Sequence, residues 1–131
     1  MFKIKKPLVM ISLNLNKKIV RINDIVKLNI IITNNTKLLV NNLNVLPILP
    51  IGLSFLSNII KINKTTTIIT SLINLNIFPK DFINIEIKVK VTSDLIPILV
   101  NIINADYNLG LSKKKYLITS NLGYIIVNKS N

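Results

Sequence analysis

The chain has 131 residues, a formal net charge of +12 and a composition that is 50% hydrophobic. That length suits one domain with a real core, and that hydrophobicity argues against disorder. With no cysteine and no histidine, a disulfide framework, thiol nucleophiles, zinc chemistry and Ser-His or Cys-His catalysis are excluded.

The apolar residues are mostly Ile, Leu and Val, which fit a pleated surface, and alanine appears only at Ala105. The chain opens with "MFKIKKPLVMISLNLNKK". Its lysines at 3, 5 and 6 resemble the basic region of a signal peptide. However, the apolar run from Leu8 is short, is broken by Ser12 and Asn14, and lacks a small-residue cleavage site. Val9, Ile11, Leu13 and Leu15 alternate, which predicts a first strand. Asn23-Asp24 makes a turn into "NDIVKLNIIITNN", where Val26, Leu28, Ile30 and Ile32 share one face and Lys27, Asn29 and Thr33 the other. A short strand over Asn42 to Leu46 should end at Pro47. The run "VLPILPIGLSFL" is too short to span a bilayer, and "LPIGL" reads as a turn with Gly52 at positive φ.

Phe55, Ile59 to Ile62 and Thr66 to Leu72 follow as strand segments, and "FPKD", Phe78 to Asp81, as a turn. In "FINIEIKVKVT", Ile83, Ile85, Ile87, Val89 and Val91 oppose Asn84, Glu86, Lys88 and Lys90. A register slip of one residue there would bury three charges, so the pairing is fixed. Strands around Leu99 to Tyr107 and Tyr116 to Val127, with "NLGLSKK" as the hairpin loop between them, complete about seven to nine strands. That count and spacing predict an all-β antiparallel sandwich over residues 1–131.

The order of these motifs resembles the bacterial and archaeal cell-surface repeat domain known as domain of unknown function eleven. "NDIVKLNIIITN" matches its Gly-Asp opening and alternating strand, with Asn23 in the Gly place. "PILPIGLSF" matches its Asp-x-Leu-Pro-x-Gly-Leu-x-Phe signature, with Pro47 in the Asp place. "IFPKDFINIEIKVKVTS" resembles its Leu-x-Pro-Gly-Glu turn and long strand, with Lys80 in the Gly place. "NIINADY" and "TSNLGYIIV" resemble its closing strands. The resemblance implies an immunoglobulin-like sandwich serving as a structural or adhesive module at the cell surface or in a spore-associated layer, with no catalytic residue to carry over.

Function classes narrow accordingly. The acidic residues Asp24, Asp81, Glu86, Asp94 and Asp106 stand apart, unlike a calcium loop, so no metal, cofactor or catalytic residue is expected. Nearly all the positive charge is lysine, Arg21 being the lone arginine. Aromatics are few, and no specific nucleic-acid reader is expected. Weak, salt-sensitive attraction to polyanions is. The alternative function is therefore a basic module on an anionic cell-wall polymer. A Lys-Asn isopeptide cross-link needs a buried carboxylate, and Pro47 occupies the best place for one; Lys27 and Lys88 lie on polar faces, so none is expected. The sequons at Asn34, Asn63 and Asn128 are read as chance matches in an Asn-rich chain. Finally, residues 1–15 form an N-terminal edge strand or a strand donated to a neighbouring copy, so that self-association or a protein partner is expected.

Overall fold

The computed structural model describes residues 8–62, 65–67 and 71–129. Its strands are β1 (Val9–Leu15), β2 (Ile19–Val20), β3 (Ile25–Asn34), β4 (Val40–Ile48), β5 (Leu53–Ile62), β6 (Thr65–Thr67), β7 (Leu75–Ile77), β8 (Phe82–Val91), β9 (Ile98–Leu109), β10 (Tyr116–Thr119) and β11 (Gly123–Val127). They form the expected all-β sandwich. The first sheet has the order β1-β3-β8-β5-β6, and the second has β2-β11-β9-β4-β7 with β10 beside β9. All pairs are antiparallel except β2 with β11, which is parallel.

Both alternating strands fall in the expected register. Val26, Leu28, Ile30 and Ile32 of β3 are buried, as are Ile83, Ile85, Ile87, Val89 and Val91 of β8. Leu28 stands opposite Ile87 and Ile30 opposite Ile85. The second sheet closes the core from the other side with Val40, Leu43, Val45, Leu99, Ile103, Ala105 and Ile125.

Several boundaries differ from the sequence reading. The segment Tyr116 to Val127 is two strands, β10 and β11, laid in turn along one edge of β9, against Asn104 to Tyr107 and Ile98 to Asn101 respectively. The chain leaves the edge at Ser120 to Leu122 because Asn121 is used elsewhere, as described below. β4 does not stop at Pro47, which pairs with Ile103. Two residues earlier, the N–H of Val45 points away from β9, to Leu72 O at 2.8 Å. By alternation the missing N–H of Pro47 also faces away from β9, so no β9 ladder bond is lost. β2 and β7 were not foreseen, being too short for alternation to register. Of the expected segment Thr66 to Leu72, β6 takes Thr66 and Thr67, and residues 68–70 lie outside the described residues, as do residues 1–7 of the N-terminal segment.

Gly52 has the expected positive φ, 111°. Two further turns are more telling. Asn23 (φ 78°) and Lys80 (φ 62°), the positions where the family resemblance sets glycine, both hold left-handed backbone. The turn geometry is thus kept although the residue that suits it best is not.

Candidate interaction surfaces

Along the middle of β8 the outward side chains of the first sheet are polar, while Met10, Ile25 and Phe82 stand half exposed elsewhere on that sheet. Lys27 of β3 stands opposite Lys88 of β8, Lys90 lies one pair further on, and Lys61 of β5 faces Asn84. Glu86 answers part of this charge, with its carboxylate 3.8 Å from Lys27 Nζ. Both lysines considered for a cross-link therefore point away from the core.

The second sheet presents the opposite chemistry. Its central strand β9 turns Ile98, Val100 and Ile102 outward. β11 adds Tyr124 beside Val100 and Ile126 beside Ile98, and β2 adds Ile19 beside Ile126. On the other flank Ile48 stands by Ile102 and Leu46 by Asn104. Apart from Ile102, which is less exposed, the large apolar side chains of this set are half exposed, from 40% for Val100 to 63% for Ile19. The nearest charge on these strands is Asp106, at one end of the face, which accepts from Asn44 Nδ2 at 2.8 Å and lies 3.3 Å from Lys115 Nζ. The sequence carries the signal for this face. In "ILVNIINADY" the outward set stays apolar through Ile98, Val100 and Ile102, whereas in "FINIEIKVKV" it is apolar only at Phe82.

Where the two sheets meet, polar side chains tie them together. Asn34, fully buried at the end of β3, donates through Nδ2 to Leu38 O at 2.8 Å and to Ile77 O at 3.0 Å, and its Oδ1 accepts from Thr36 N and Oγ1. It joins β3 of one sheet to β7 of the other. Burial of that amide leaves the Asn34 sequon unusable in the folded protein; Asn128 is exposed, and Asn63 lies outside the described residues.

At the opposite seam, Asn121 performs a similar task for β1. The Leu13 N–H donates to Asn121 Oδ1 at 2.8 Å, and Asn121 Nδ2 donates to Leu13 O at 2.9 Å. A side-chain amide thus stands in for a neighbouring strand at this one residue of the edge. Shallow grooves flank the clasp, about 440 Å³ beside Leu15, Lys18, Leu122 and Tyr124, and about 220 Å³ beside Met10, Ile11, Ile118 and Thr119. Gly123 makes room here, since a Cβ would sit 2.9 Å from Leu13 Cδ2 and the Leu13 side chain would have to shift. Next to it Asn101 is fully buried, with Nδ2 donating to Gly123 O at 3.3 Å and Oδ1 unpartnered.

Among the described residues, no three Asp or Glu side chains come together, and no helix is long and apolar enough to cross a membrane. Tyr107, buried and stacked on Tyr116 at 5.4 Å, has its phenol raised above the ordinary tyrosine range by burial and then by Tyr116.

The chain matches no protein-family model and no curated protein sequence. Its fold, however, is shared with solved structures. A variant of BcpA, the major pilin subunit of Bacillus cereus, superposes with a TM-score of 0.69 at 14% identity, over 91% of this chain and 40% of the pilin. ACE19, the collagen-binding subdomain of the Enterococcus faecalis surface protein ACE, gives 0.52 at 13% identity, over 95% of this chain and 99% of that one. A family 123 glycoside hydrolase from Clostridium perfringens gives 0.54 at 15% identity, over 95% of this chain and 28% of the hydrolase. At such identities the likeness is one of fold. This chain spans about 40% of the pilin's length. Its architecture is an immunoglobulin-like sandwich of the kind found in pilins and surface adhesins.

Proposed function

We propose that this chain is a non-enzymatic structural or interaction module of a cell-surface or spore-associated layer, and a relative of the repeat domains that its motifs resemble. The observation that carries the reading is the uncharged apolar face of the second sheet on a chain of net charge +12. Exposed apolar patches of this extent mark contact surfaces. The pilin and adhesin likenesses support a surface setting, and the left-handed Asn23 and Lys80 support the kinship.

Fractionation of the native cells, with surface labelling of intact cells, tests this. The protein is expected in the envelope or spore-coat fraction and accessible to the label. Recovery from the cytosol alone would overturn the reading. A second reading, as a module on an anionic wall polymer, is favoured by Lys27, Lys61, Lys88 and Lys90 sharing one outer face. Charge-driven binding of that kind falls steeply as salt rises, whereas apolar contact does not.

A further inference from the structure

We infer that the outer face of the second sheet is a self-docking surface, on which two copies of this chain pack face to face about a twofold axis. This rests on the reading of the chain as an interaction module and names its partner as a second copy.

Extent is the first argument. At roughly 180 Å² for a fully exposed large side chain, the exposures of Ile19, Leu46, Ile48, Ile98, Val100, Tyr124 and Ile126 amount to roughly 650 Å². That exceeds the largest patch of a typical monomer, about 300–600 Å², and approaches the ~800 Å² that each partner of a standard interface buries.

Charge is the second argument, and it selects the occupant. Two copies at +12 repel each other strongly wherever their lysines meet. An acidic partner finds its complement on the lysine face of the first sheet. The strands of the second sheet's face, β2, β4, β9 and β11, carry no cation, with Lys18 at the margin beside Tyr124, so a like-charged copy is repelled least there. In a face-to-face pair the sheets stack in the order first, second, second, first. With sheets ~10 Å apart, the two lysine faces then lie roughly 30 Å from each other. That is several Debye lengths at physiological ionic strength, where the length is about 8 Å, so the repulsion is largely screened.

Shape is compatible with symmetry. Ile98, Val100 and Ile102 form a straight row along the central strand, flanked by Tyr124 on one side and by Ile48 on the other. A twofold axis near Val100 sets that row upon its own copy, as an isologous contact requires. Tyr124 supplies the aromatic anchor near the centre.

The test is sedimentation velocity on the full chain, from roughly 1 to 500 µM, a range that brackets interfaces of this size. A dimer is expected, and it should tighten as sodium chloride rises because the repulsion between the copies is screened. Val100→Lys places a lysine of each copy in the contact and should weaken the dimer tenfold or more with an unchanged melting temperature, since the position is exposed in the single chain. If that variant does not fold, Tyr124→Ser serves in its place, with the same expectation. Lys88→Glu, on the opposite face, should dimerise at least as well as the parent. A chain that stays monomeric at every concentration and salt overturns the inference. So does a dimer indifferent to both second-sheet variants, or one abolished by Lys88→Glu. A monomer found in the envelope fraction overturns self-docking alone, whereas a dimer confined to the cytosol overturns the surface reading alone.

Discussion

The outer faces of β8 and β9 invite comparison, because both strands are central, both are long, and both bury the alternate set of side chains, all aliphatic in β8 and broken by Asn101 in β9. Outside, β8 shows Asn84, Glu86, Lys88 and Lys90, while β9 shows Ile98, Val100 and Ile102. The core constrains only the inward set. An outward set contributes little to folding, so the two strands differ in what they offer their surroundings: charge along β8 and apolar area along β9.

The comparison breaks first if inside and outside have been confused. Ile85→Asp or Ile87→Asp should unfold the protein, because either drives an unpaired carboxylate into the fully buried row. Lys88→Ser, next to Ile87 on the opposite face of the strand, should change stability by no more than about 0.5 kcal/mol. Urea melts showing equal damage would invert the assigned faces. Next in size is Asn34→Ala, which removes the buried acceptor of the Thr36 N–H and the buried donor to the Ile77 carbonyl, while the Thr36 hydroxyl keeps its bond to Leu38 O. A loss of roughly 2–3 kcal/mol is expected from the same melts.

Two smaller effects sharpen the picture. Lys80→Gly should stabilise by up to about 1 kcal/mol, because a left-handed lysine is strained where glycine is not. That gain is offset in part by the exposed bond from Lys80 Nζ to Asn35 O at 2.7 Å. A melting temperature below that of the parent would contradict it. Smallest is an alkaline effect at Tyr107. Its phenol titrates higher in the folded chain than in the unfolded one, so the folded state holds the proton more tightly. The associated stability is complete below the ordinary tyrosine pKa of about 10, and is lost as pH rises from there through the raised value. Tyr107→Phe should flatten this alkaline decline in a pH series of melts.

The sandwich and the register of β3 and β8 were legible because strict alternation over ten residues leaves one way to bury the aliphatics. β2 and β7 were not, since two or three residues cannot display a period. The break at Ser120 to Leu122 was hidden because Asn121 acts on Leu13, a residue 108 positions away. The contact face was written in the doubled apolar sets of "ILVNIIN", but such a run also suits a strand buried on both sides. Only the exposure of Ile98 and Val100, with no third layer over β9 among the described residues, distinguishes the two. Asn34 drew notice as a glycosylation match, whereas its location makes it a tie between sheets.

The parallel pairing of β2 with β11 has a mechanical consequence. Ile126 N–H donates to Lys18 O at 2.7 Å and Asn128 N–H to Val20 O at 2.8 Å, joining the start of the chain to its finish. Because the two strands run the same way, the chain entering β2 and the chain leaving β11 emerge at opposite ends of the pair. Tension drawn along the polypeptide therefore slides one strand against the other, loading these bonds together instead of peeling them in succession. β1, clasped by Asn121 and laddered to β3 from Val9 to Leu15, lies ahead of them in the same line of pull.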